Sequence, residues 1–328
     1  MTATRERVII VGGAGFIGSH FTDALLDDAS TRRVTLYDNF SSGQEWHYAH
    51  HADDERLSVV RGDANDQDSL CAAMEGHDFV IHLASNPDIA AAMTNPAVDF
   101  DDGTKITFNV VEAMRRTGTP RIAYASGSGV YGDLGEVEAT EDHGPMIPVS
   151  TYGASKLAGE ALISSYAHMF DLHGVACRFG NVVGRRQTHG VGFDFVRRLR
   201  SDPGQLSVLG NGTQSKSYVL VTDVVRAVLM AADALAGKPF DAFNVATGDY
   251  VTVREIADLA LKVLGLTHAT TTVSYGEEPR GWKGDVPIVR IDNEKIRGLG
   301  WTPTTGSAGA LRASMQAMLD DLEAGVGT

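Results

Sequence analysis

Residues 7–20 read RVIIVGGAGFIGSH: an apolar run, a glycine-rich turn, then the start of an amphipathic stretch. Val8, Ile9, Ile10 and Val11 are all β-branched, as a strand covered on both faces tends to be. Gly12, Gly15 and Gly18 follow at three-residue spacing. In such a turn Gly12 permits the tight bend, Gly15 lets backbone approach a pyrophosphate, and Gly18 lets the new helix pack against the strand. The helix opening at Phe16 and Ile17 offers unsatisfied N–H groups to phosphate. A dinucleotide site is therefore expected here.

The same alternation continues downstream. Apolar runs at 33–38, 57–63, 78–85, 121–126 and 174–179 join 7–11 as six expected strands, with helices at 16–28, 66–74, 104–116 and 152–170 between them. This is the βαβ rhythm of a doubly wound α/β sheet of the Rossmann type, assigned to residues 1–180. From 181 to 328 the pattern changes to short segments (LSVLG, SKSYVLV, FNVAT, TTVSYG) interleaved with helices, which reads as a smaller mixed α/β lobe. The chain has room to cross back to the first domain. Thr222 is placed as the cap of one of these helices, and Thr252 with Glu255 forms a capping-box pattern before another.

Composition narrows the function. The chain has 328 residues, with 28 Lys and Arg against 42 Asp and Glu, a net charge of −14. That balance repels nucleic acid and anionic lipid but leaves small anions accessible to local N–H groups. No stretch of ~20 apolar residues exists, so neither a membrane span nor an export signal is expected, and a cytoplasmic protein is. Cys71 and Cys177 lack metal-ligand spacing and read as reduced structural thiols. The 36 glycines exceed the usual ~7 per cent.

Two further patterns carry chemistry. Asp38 closes the second strand 20 residues after Gly18, where a carboxylate accepts from ribose hydroxyls and repels a 2′-phosphate. With no Arg in DNFSSG, NAD is expected over NADP. Asp63 either reaches the adenine or is a turn residue. Tyr152 and Lys156 stand four apart on one face of a helix. An ammonium and a cationic nicotinamide would lower the Tyr152 pKa and make the phenol a general base toward a sugar hydroxyl. His47, His50 and His51 lie in a polar loop with no carboxylate at ligand spacing, so no metal site is expected. His82 reads as a packed strand-end residue, and Trp282 and Trp301 as packing anchors. His189 either touches substrate or turns its loop.

Together, GGAGFIG, DNFSSG, RGD, HLASNPD, SGVYG, YGASK, RFGNVVG, RGWKGDVP and LGW resemble the extended short-chain dehydrogenase/reductase family, specifically its nucleotide-sugar epimerases and dehydratases. The late block and HGVGFDF are most similar to the UDP-glucose 4-epimerase group. The resemblance covers nearly the whole chain. It implies NAD held by Gly12, Gly15, Phe16, Ile17, Gly18, Asp38, Asn39, Asp63, Ala64, Leu83, Ala84 and Lys156. It implies a nucleotide-diphosphate sugar held by Asn86, Ser128, Tyr152, Asn181, Lys216 and Arg280, and a homodimer built from the 104–116 and 152–170 helices.

Two positions depart from that pattern. Relatives carry Ser or Thr where Gly127 stands, which leaves Ser128, then Ser126, to meet the reacting oxygen. They also carry an Asn where Gly103 stands. Dehydratases and decarboxylases place acidic residues where this chain has Ser128 and Gly129, so the expected reaction is C4 epimerisation through a 4-keto sugar. The alternatives are a 4,6-dehydratase, decarboxylase or keto-reductase on the same fold, or a non-catalytic NAD-sensing protein.

Overall fold

The structure, a computed structural model, describes residues 5–86, 88–235 and 237–326. Six strands, β1 (Arg7–Val11), β2 (Arg33–Asp38), β3 (Leu57–Arg61), β4 (Phe79–His82), β5 (Arg121–Gly127) and β6 (His173–Phe179), fall where the apolar runs stand. A seventh, Phe240–Val245, lies beyond β6, and the sheet order is Phe240–Val245, β6, β5, β4, β1, β2, β3. The first half of the FNVAT segment, expected in the second lobe, therefore pairs into the large sheet, and the chain passes to the second unit at Asn244. Its burial alternates little, because Ala242, Phe243 and Val245 are all buried. The pairings β3–β2–β1–β4–β5 are parallel. Winding reverses between β1 and β4, where Val11 pairs with both Tyr37 and His82. Ligands of doubly wound sheets bind outside the carboxyl ends of strands at such a reversal.

Two compact units divide the chain: Met1–Val130, Thr151–Arg178 and Val225–Phe243 form one, and Tyr131–Ser150, Phe179–Val224 and Asn244–Thr328 the other. In the first, helices α1 (Phe16–Asp27), α2 (Gln67–Met74), Ile106–Thr117 and Thr151–Met169 cover the sheet. Ile9, Val11, Leu70, Met74, Val80, Val110, Met114 and Ile122 form its dry centre. In the second, Phe195, Val196, Leu199, Leu206, Ile256, Leu261, Leu311 and Met315 pack from three helices and a short strand. Trp301, 1 per cent exposed, donates its indole N–H to the Asp223 carbonyl at 2.9 Å. No helix among the described residues is long and apolar enough to cross a membrane.

Local signals act as read at one helix and not at another. Thr252 caps the Val253–Val263 helix in a full capping box with Glu255. Thr222 lies inside the Val221–Asp233 helix instead of capping it, because the preceding strand runs into the helix at Val221. Thr252→Ala removes the acceptor for a first-turn N–H and should cost about 1 kcal/mol. A lower urea midpoint at unchanged slope checks this; an unshifted midpoint contradicts it.

Candidate active site

The glycine-rich turn follows β1 directly. Gly12 has φ +82°, and a Cβ there would stand 2.6 Å from the Ala84 nitrogen. Its N–H donates to the Tyr37 carbonyl at 2.8 Å, while Leu83 and Ala84 N–H both donate to the Val11 carbonyl at 2.9 Å. A Cβ on Gly18 would strike the Gly13 carbonyl. At Gly15, by contrast, a Cβ would make only an ordinary contact, with Gly12 O at 3.6 Å. Gly15 is the N-cap of α1, without a side-chain cap and without an acidic residue in the first turn. A helix N-terminus with neither a side-chain cap nor an acid in its first turn fits a pyrophosphate.

Asp38 is buried beside this turn. Oδ2 accepts from Ala14 N–H at 2.9 Å and Oδ1 from Phe40 N–H at 2.7 Å. Each oxygen keeps acceptor capacity for a ribose hydroxyl. Asn39 accepts from Ser41 N–H. Asp63 is exposed and turns its own loop through Asn65 N–H, 2.9 Å away. The Ala64 carbonyl accepts from Asn109. Phe16, Ile17, Leu83 and Ala84 lie at the carboxyl ends of β1 and β4.

Tyr152 and Lys156 lie on the first turns of the Thr151–Met169 helix. Lys156 is buried, donates to the Ala125 carbonyl at 2.8 Å, and sits 5.5 Å from the Tyr152 ring centroid. Burial holds its pKa down to about 8, and the Asp99 charge opposes that fall. Tyr152 moves the other way from expectation: desolvation pushes the phenol up to about 12, Ser85 lowers it through a hydrogen bond, and Asp99 raises it. Burial of the ring, and not the neighbouring ammonium, sets the direction of the shift.

Asp99 is the residue that sequence reasoning missed. It is 2 per cent exposed, accepts from Asn86 Nδ2 at 2.9 Å through Oδ1, and from Thr151 Oγ1 at 2.6 Å through Oδ2. Asn86 also donates to the Asp88 carbonyl, so its amide is committed to this network. In the sequence Asp99 is one of three nearby acids, with Asp101 and Asp102, and nothing in spacing separates them. His82 is fully buried, its Nε2 bonded to Thr107 and its pKa depressed by desolvation and then by Lys156.

One of the two departures, Gly103, acquires a local account. Gly103 lies in a π-helical stretch, Phe100–Lys105, where a Cβ would stand 2.7 Å from Ser155 Oγ. Ser155 in turn donates to the Tyr152 carbonyl. A larger residue at 103 would press on the Ser155 side chain and disturb its bond to Tyr152. Ser126 donates to Glu160, which forms a buried ion pair with Arg178 at 2.7 Å. Ser128 opens the short helical turn Ser128–Tyr131 after β5, with Gly129 next to it.

In the second unit, Lys216 Nζ meets Asp285 Oδ1 at 2.7 Å, and Arg280 bonds both the Asp285 carbonyl and Asp133 Oδ2, the latter at 2.6 Å. The two cations are thus gathered around Asp285. Asn181 is exposed and donates to the Ser217 carbonyl at 3.2 Å.

Residues 8–246 match the NAD dependent epimerase/dehydratase family. A UDP-glucose 4-epimerase of Mycolicibacterium smegmatis is 31 per cent identical over 319 residues, 94 per cent of this chain and 97 per cent of that one. A crystal structure of a UDP-galactose 4-epimerase superposes with a TM-score of 0.85 at 35 per cent identity, covering 96 per cent of this chain and 99 per cent of that one. A dTDP-glucose 4,6-dehydratase from Streptomyces venezuelae, solved with NAD bound, gives 0.86 at 26 per cent identity, covering 97 and 98 per cent.

The charges around Lys156 make a testable pattern. A 13C titration of the lysine Cε resonances should show one lysine, absent from Lys156→Met, with a midpoint near 8. Asp99→Asn removes the anion that favours the ammonium and should move that midpoint lower. A protein whose lysines all titrate near the ordinary ~10.4 contradicts this arrangement.

Proposed function

The chain belongs to the NAD-dependent epimerase/dehydratase family, and on that premise we propose that it inverts the C4 hydroxyl of a nucleotide-diphosphate sugar. The observation that carries the choice of reaction is the Ser128–Gly129 pair. A Cβ at Gly129 would lie in ordinary contact, 3.5 Å from the Gly153 Cα, so sterics do not require glycine there. With no carboxyl group at either position, water elimination lacks its general acid. Oxidation and re-reduction of one carbon remain.

Bound NAD supplies the acceptor that oxidises C4 and the donor that reduces it again. Gly12, Gly15, Phe16, Ile17 and Gly18 would hold its pyrophosphate, Asp38 and Asn39 its ribose, and Asp63, Ala64, Leu83 and Ala84 the remaining edges. Tyr152 takes the C4 hydroxyl proton as the carbonyl forms and returns it after the keto sugar has turned over. Because burial alone raises the phenol to about 12, the base needs positive charge beside it. Lys156, protonated below about 8, supplies part of that charge and orients the nicotinamide ribose.

Ser128 donates to the reacting sugar oxygen, since Ser126 is committed to Glu160. Asn181 contributes an amide contact to substrate, while Asn86, its amide taken up by Asp99 and Asp88, positions the segment after β4. Arg280 and Lys216 bind the diphosphate by exchanging Asp133 and Asp285 for phosphate oxygens, the guanidinium bidentately.

Incubating the protein with UDP-, dTDP-, GDP-, CDP- and ADP-sugars and resolving products by chromatography with mass detection tests this reading. An isomer of unchanged mass is expected. Loss of water establishes a dehydratase and overturns the proposal, and no turnover with NAD bound favours a sensor. Tyr152→Phe should lower the rate by roughly 10²- to 10⁴-fold.

A homodimer is proposed on the same basis. The Ile106–Thr117 and Thr151–Met169 helices expose Phe108 at 43 per cent and Met169 at 71 per cent, with Phe170 at 39 per cent just beyond. Burying such a face between two copies would form a four-helix interface. Phe108→Glu should convert the dimer to monomer in light scattering; a wild-type chain monomeric at all concentrations contradicts this.

A further inference from the structure

The segment after β2 runs through two short 3-10 turns, Glu45–His47 and Ala49–His51. Its first part is fastened to the glycine-rich turn, where Gln44 N–H and His47 Nδ1 both reach the Ala14 carbonyl, at 3.0 and 2.7 Å. Its second part meets α1. The Nε2 atoms of His50 and His51 lie 2.7 and 2.8 Å from one atom, Asp23 Oδ1. The carboxylate partner missing from the local sequence thus comes from a helix 27 residues upstream, which corrects the reading of these histidines as having none. The three candidate donor atoms lie within 4.8 Å of one another.

Two imidazole nitrogens aimed at one carboxylate oxygen each present an N–H to it. A shift of each ring to its Nδ1–H form frees both Nε2 lone pairs, which then converge with the carboxylate on one small volume. Neutral imidazole and carboxylate together suit divalent cations of borderline softness, whose N and O ligands sit at ~2.0–2.2 Å. Hard cations such as magnesium prefer all-oxygen shells. The three side chains are 31, 46 and 18 per cent exposed for Asp23, His50 and His51, so a cation and its waters have access.

We propose that Asp23, His50 and His51 form a binding site for a zinc-class divalent cation, with water in the remaining positions. The cation cross-links α1 to the segment that lies against Ala14. His20, one turn earlier on α1, keeps its Nδ1 3.8 Å from Asp23 Oδ2, near the site but beyond hydrogen-bond distance.

Calorimetry of untagged, NAD-loaded protein, stripped with chelator and titrated with zinc chloride, tests it. One saturable site per chain is expected, with a rise in melting temperature on saturation. His50→Ala with His51→Ala should weaken binding at least about tenfold and abolish that rise. Both histidines lie outside the core, and the melting temperature of the double variant without zinc reports that it folds. Absence of saturable zinc binding, equal binding by the double variant, or equal affinity for magnesium each overturns the proposal.

Discussion

The dinucleotide end of the first unit depends on one close approach, the backbone of Gly12 against that of Ala84. A Cβ on Gly12 would lie 2.6 Å from the Ala84 nitrogen, and its φ of +82° suits glycine alone without strain. That approach lets three strands share one corner. Gly12 N–H bonds β2 through Tyr37, and the Val11 carbonyl takes both N–H groups that follow β4. Asp38 then bonds Ala14 and Phe40, so the turn and the end of β2 become one body. Any side chain at Gly12 would separate β1 from β4 where the winding reverses.

A second constraint is electrostatic. Asp99 is buried, holds Thr151 at the start of the helix that bears Tyr152 and Lys156, and takes Asn86 on its other oxygen. Its charge favours the Lys156 ammonium and disfavours the Tyr152 phenolate. The two effects oppose each other with respect to general-base catalysis. The helix is thereby fixed with its ammonium intact, and Ser85, through its hydrogen bond, is the group that lowers the Tyr152 pKa.

Much of this was legible in sequence because it is local. The glycine turn, the six strands, the Tyr152–Lys156 spacing and the Thr252 capping box each lie within a few residues, and periodicity or a fixed offset reveals them. What was not legible is made by the fold. Phe240–Val245 reads as a lobe strand until β6 is there to receive it. Asp99 and Asp23 are ordinary acids until helices distant in sequence arrive beside them. Tyr152 reads as a phenol with lowered pKa from its charged neighbour alone, whereas desolvation, which no spacing encodes, carries it upward.

The proposed reaction is transient oxidation and re-reduction of one carbon of a nucleotide sugar. Following a sugar deuterated at C4 through turnover in ordinary water tests it most directly. The isomer should retain its deuterium at C4, since in that reaction the hydrogen leaves and returns without meeting solvent. Deuterium lost to water, with inversion still occurring, would mean proton abstraction from carbon and would contradict it.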